Sequence, residues 1–184
     1  LGIDNVGALN KAIIAGRAQE IVLVSEALHE MHIASVARQI AKERDKLRLI
    51  LIAGPSSSGK TTFSRRLTVQ LLARGISPFP LELDNYFVDR VKNPRDEHGE
   101  LDFEVIEALD LDLLAEHLQR LARGERVQLP RYNFKSGVSE KGEEIQLREG
   151  QLIILEGIHG MNPRLIPEAL RDQSFRIYIS ALTQ

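Results

Sequence analysis

Residues 54–61 read Gly-Pro-Ser-Ser-Ser-Gly-Lys-Thr, a complete G-x-x-x-x-G-K-[ST] phosphate-binding loop. Its flanks constrain the fold. Leu47-Arg48-Leu49-Ile50-Leu51-Ile52-Ala53 is a short apolar run of the kind that makes a buried parallel strand. Phe63, Leu67 and Leu71 recur at i, i+4, i+8, the stripe of an amphipathic helix that ends at Gly75. Strand, glycine-bounded loop and helix together aim backbone amides and a helix N-terminus at an anion. Gly54, Ser56, Ser57, Ser58, Gly59, Lys60, Thr61 and Thr62 are therefore the expected nucleotide-binding residues. Lys60 reaches for the β- and γ-phosphates, and the Thr61 hydroxyl is placed to ligate Mg²⁺. ATP and Mg²⁺ are the cofactors this implies.

The rest of the chain extends the pattern. Ser77–Leu83 reads as a second strand, with Pro78 and Pro80 giving it an irregular start, and it delivers Asp84 at its C-terminal end. Gln151-Leu152-Ile153-Ile154-Leu155 is another near-continuous apolar strand, ending in Glu156-Gly157, and residues 175–179 form the last. Helices are expected over 104–123, broken near Asp110, and over 163–172. Residues 125–150 alternate around Gly137 and Gly142 and read as a β-hairpin. Ahead of the first strand, 8–14 and 25–44 read as helices. Strands separated by helices give an α/β fold of the phosphate-loop NTPase type. A parallel sheet is flanked by helices, with a hairpin excursion and an N-terminal helical appendage. The expected division is 1–46 for the appendage and 47–184 for the main domain.

Composition narrows the function. With 43% hydrophobic and 27% charged residues and a net charge of −2, no large basic surface is implied, so nucleic acid is not the expected partner. No apolar run approaches a membrane span and no signal-peptide pattern is present. The absence of cysteine removes disulfides, thiolate metal sites and thiol catalysis, and agrees with a cytoplasmic protein. The chain starts at Leu1 and stops at Gln184 just past a strand, which reads as a fragment of a longer protein.

In parallel sheets of this kind, ligands sit beyond the C-terminal strand ends. Lys60, Asp84 and Glu156 all fall there. Asp84 reads either as the carboxylate that orients and deprotonates an acceptor hydroxyl or as a cap on the turn that follows. Glu156 reads as an acidic residue near Mg²⁺ or as a solvated strand end. Pro130-Arg131-Tyr132-Asn133-Phe134 offers two aromatics around an amide, suited to a ring-shaped acceptor or to hairpin packing. His29 and His32 lie at i, i+3 with no third ligand, and this is not a zinc pattern. His159 follows Glu156 and either approaches the site or packs the turn. Neither a G-x-G-x-x-G dinucleotide motif nor a nucleophile elbow is present, and the D-x-x-G and N-K-x-D of GTPases are missing.

Taken in order, Ala53–Thr62, Leu83-Asp84-Asn85-Tyr86-Phe87, Asp102-Phe103-Glu104, Pro130–Phe134 and Leu155-Glu156-Gly157-Ile158 resemble the uridine kinase and phosphoribulokinase branch of phosphate-loop kinases. The resemblance implies an ATP-dependent kinase for a small acceptor, a nucleoside first among them. It makes Asp84 the catalytic carboxylate beside Lys60, and Thr61 and Glu156 the metal residues. It makes Phe87, Glu104 and Tyr132 the acceptor contacts. Residues 1–46 resemble the region preceding the kinase domain in longer bacterial uridine-kinase-like proteins. Asn133 stands where uridine kinases have Asp, and 135–138 supply neither the His nor the Arg that follow it there. The family's arginine-rich lid follows the strand matched by 175–179, so this chain is expected to bind ATP-Mg and turn over slowly. A kinase for a sugar phosphate or a pantothenate-like acceptor, and a non-catalytic ATP-binding regulatory module, are the other readings.

Overall fold

The computed structural model describes residues 2–180; expectations that fall on 181–184, including the chain end at Gln184, lie outside them. Two helices, α1 (Val6–Ile14) and α2 (Ala18–Glu43), precede β1 (Leu49–Ala53) and α3 (Lys60–Leu72). Then come β2 (Pro78–Glu82), α4 (Leu111–Ala122), the hairpin strands β3 (Val127–Asn133) and β4 (Val138–Ile145), β5 (Leu152–Glu156), the single turn α5 (Glu168–Arg171) and β6 (Ser174–Tyr178). The main sheet has the order β2-β5-β1-β6, and every pairing in it is parallel. Because β2 is an edge strand, Pro78 and Pro80 each withhold a donor at little cost.

Strand alternation builds two cores. Ile50, Ile52, Leu152, Ile154 and Ile177 face α3, meeting Phe63, Leu67 and Leu71. Leu49, Leu51, Leu81, Ile153 and Leu155 face the other way, against Leu114, Leu118 and Leu121 of α4 and Val127 and Leu129 of the hairpin. The first core also takes in Ile33, Ala37 and Ile40 of α2, so the long N-terminal helix covers α3. Ile40→Ala should lower the unfolding free energy by about 2–5 kcal/mol in urea denaturation, the usual cost of emptying a buried isoleucine site. A loss below about 0.5 kcal/mol would mean that α2 adds only surface.

Three elements differ from the sequence expectation. Helix α2 starts at Ala18, earlier than 25, because only Ile33, Ala37 and Ile40 are buried on it and its first turns carry no one-sided stripe. The stretch 104–110 is not α-helical. Its backbone bonds go to the segment after β2: Val88 N–H donates to Ala108 O at 2.9 Å and Asp110 N–H to Tyr86 O at 2.8 Å. Asp110 then caps α4 by accepting from Leu113 N–H at 3.0 Å. Between 163 and 172 only Glu168–Arg171 is helical, since Pro163 and Pro167 interrupt the rest. Among the described residues, no helix is long and apolar enough to cross a membrane.

Candidate active site

The loop between β1 and α3 is held in a shape that few residues allow. Gly59 has φ of +87°, a left-handed conformation natural to glycine. Ser57 also sits at positive φ, +58°, a cost that a non-glycine residue bears at few places other than functional loops. A Cβ on Gly54 would collide with the carbonyl of Ile179, so the loop lies directly against the end of β6. Ile179 N–H donates to Ala53 O there at 2.7 Å.

Within the loop, the Lys60 ammonium donates to Pro55 O at 2.6 Å, folding over the backbone that would carry phosphates. The Thr61 hydroxyl donates to Glu156 Oε1 at 2.5 Å and joins α3 to β5. Ser58 Oγ is buried without a hydrogen-bond partner. Such an orphan hydroxyl among loop amides fits a phosphate oxygen. The Thr61 and Glu156 donors are all oxygen, the set that Mg²⁺ takes when phosphates complete its shell. No group of three or more His, Cys, Asp or Glu able to hold a metal occurs among the described residues, so protein atoms alone would not complete such a shell.

Parallel register brings the acidic residues together. Glu82, the last residue of β2, pairs with Glu156, the last of β5. Asp84 follows on the 3₁₀ turn Leu83–Tyr86. Partial burial, then the charges of Glu82 and Glu156, push its carboxyl above the usual carboxylate range. The turn is pinned on both sides. Asn85 donates to Glu82 at 3.1 Å and accepts from Tyr132 N–H at 3.3 Å. The Tyr86 hydroxyl meets His117 Nδ1 at 3.0 Å, in a buried contact with α4.

A cavity of about 750 Å³ gathers these groups. Ser56, Lys60, Thr61, Asp84, Phe87 and Glu156 all line it. Two further lining residues, Glu82 and Arg65, were not sequence candidates, and a third, Phe103, was quoted only within the Asp102-Phe103-Glu104 stretch. The signal for Glu82 was its place at a strand end, but only the sheet order sets it beside Glu156. Glu104 and Tyr132 are not on the wall. Glu104 is exposed, its N–H bound to Asp102 Oδ1 at 2.8 Å. Tyr132 is buried one ring away, with centroids 5.6 Å from Phe87 and 5.0 Å from Phe134. Phe87 in turn stacks edge-to-face on Phe103 at 5.1 Å, so the hairpin supports the aromatic wall through Phe87.

Comparisons with known proteins bear on the family and fold that carry this cavity. Uridine kinase from Brevibacillus brevis is 37% identical over 110 residues, 60% of this chain and 50% of that protein. Uridine kinase from Halobacterium salinarum is 29% identical over 119 residues, 65% of this chain and 51% of that protein. The chain thus spans about half the length of these curated relatives. The solved structure of a possible uridine kinase from Bacillus stearothermophilus superposes with a TM-score of 0.56 at 26% identity, over 72% of this chain and 70% of that one. The model of the Phosphoribulokinase / Uridine kinase family matches residues 49–182. The sheet order, the phosphate loop and this match place the chain in one group: it belongs to the phosphoribulokinase / uridine kinase family.

Proposed function

We propose that residues 47–184 form the catalytic domain of an ATP-dependent kinase that phosphorylates a hydroxyl of a small acceptor, a nucleoside. The observation that carries this reading is the shared cavity: the phosphate-loop groups Lys60 and Thr61 and the carboxylate Asp84 line the same space. Loop amides of 56–61 and Lys60 bind and orient the triphosphate. Thr61 and Glu156 would hold Mg²⁺, which supplies charge neutralisation on the phosphates when bound. Asp84 accepts the proton of the acceptor hydroxyl, and its raised proton affinity suits that task. The transition state is loose, so positioning contributes more than the base. Phe87 and Phe103 offer aromatic surface to a base, and the matches to uridine kinases support a nucleoside over other hydroxyl compounds. The same reading places the protein in the cytoplasm, with its substrates.

A thermal-shift series tests the acceptor. With ATP-Mg present, uridine or cytidine should raise Tm further, and ribose, a sugar phosphate and pantothenate should not. If ribose does as well as uridine, the nucleoside assignment fails. If ATP alone shifts Tm and no acceptor adds to it, the chain is an ATP-binding module and not a kinase.

A further inference from the structure

The turn after β5 is packed more tightly than a connection requires. A Cβ on Gly157 would come within 2.8 Å of Leu83 Cδ1, beside Asp84. One on Gly160 would come within 3.0 Å of the Ala53 Cβ and 3.2 Å of its backbone nitrogen. Leu83 and Ala53 are both buried, so a side chain at either glycine would have to displace packed neighbours. His159 lies between these two closely approached glycines.

His159 lines the cavity that holds Lys60, Asp84 and Phe103. Its Nε2 is sealed from water and has no hydrogen-bond partner, an arrangement that a settled interior avoids. Burial lowers the proton affinity of the ring, and the nearby backbone of Glu104 and Val105 works in the opposite direction. Those residues belong to the 102–108 loop, which carries Phe103 on the cavity wall. The same loop is tied to the segment after β5 by Arg164, whose Nη1 donates to Glu107 Oε1 at 2.5 Å between exposed side chains.

We propose that His159 is a positioning residue for the acceptor, its Nε2–H being the donor that locks the 102–108 loop, and Phe103 with it, against the bound molecule. The inference rests on the acceptor reading given above. A small shift of the loop closes the bond from Nε2 to a carbonyl of Glu104 or Val105, satisfies the orphaned nitrogen and sets the aromatic wall. The acceptor supplies the driving contact by packing on Phe103. Closure then ties the acceptor wall to the end of β5, three residues from Glu156.

Calorimetry with uridine and with ATP-Mg, on wild type and on His159→Ala, His159→Asn and His159→Gln, tests this. A glutamine amide reaches the place of Nε2; an asparagine amide reaches only that of Nδ1. His159→Ala and His159→Asn should raise the uridine Kd about tenfold, and His159→Gln should stay within about threefold of wild type. ATP affinity should hold in all three. If His159→Ala does not fold, the glutamine–asparagine pair still decides, since a purely structural role would not rank them this way for uridine alone. Unchanged uridine binding in His159→Asn, or a glutamine variant no better than asparagine, overturns the inference and leaves the kinase reading intact. Wild type that binds ATP but no uridine overturns that reading, and the inference with it.

Discussion

Asp84→Asn is expected to lower kcat by about 10²–10⁴-fold, the usual range for a lost general base, while ATP binding persists. The amide keeps the shape of the 3₁₀ turn and loses the capacity to take a proton. The same change should stabilise the fold at neutral pH. Burial and the charges of Glu82 and Glu156 raise the Asp84 pKa in the folded state above its ordinary 3.8. The folded protein therefore holds this proton more tightly than the unfolded chain, and stability falls as pH rises from about 3.8 through the raised value. Asparagine removes that loss. Its Tm advantage over wild type should be present at pH 7 and shrink as pH falls through the carboxylate range. A variant with near wild-type kcat would reduce Asp84 to a turn residue. A Tm difference independent of pH would show that neither burial nor the neighbouring carboxylates raise the Asp84 pKa in the fold.

Lys60→Ala is expected to cut the ATP-dependent rise in Tm by about half or more. A charge-assisted bond to phosphate is worth about 1.5–3 kcal/mol, so affinity should fall about 10–150-fold. At ligand concentrations near 100 times the wild-type Kd, where binding adds about 2.7 kcal/mol, only about 0.3–1.4 kcal/mol then remains. The ammonium also donates to Pro55 O, and its removal frees the loop as well as the charge. Isothermal titration with ATP-Mg separates these contributions. Unchanged affinity would mean that the loop binds phosphate through its amides alone or does not bind it.

What was legible in the sequence is local. The apolar run at 49–53, the glycines at 54 and 59 and the stripe Phe63, Leu67, Leu71 are contiguous, so strand, loop and helix could be read from short windows. Asp84 and Glu156 were proposed from their places at strand ends, and both line the cavity. Features that depend on which strand lies beside which were not legible. Glu82 meets Glu156 only because β2 pairs with β5 across 70 or so residues of chain. Tyr132 alternates toward the inside of the hairpin, where Phe87 and Phe134 occupy it, and one strand's pattern does not say what lies opposite. The 104–110 stretch has helical composition, but its backbone is claimed by residues 86–88, a tertiary choice that outweighs propensity. On α2, the apolar stripe is present only where α3 covers it, which hid the first turns of the helix.

Lys60, Thr61 and Asp84 line one cavity, and in the proposed kinase a phosphoryl group passes across it from nucleotide to acceptor. Single-turnover transfer tests it most directly: protein in excess over γ-labelled ATP, with Mg²⁺ and uridine, the label being followed into nucleoside monophosphate. Wild type should move the label to uridine, and Asp84→Asn should bind the same ATP and move it about 10²–10⁴-fold more slowly. Bound ATP whose label never leaves, or leaves only to water in the presence of saturating uridine, would contradict the account.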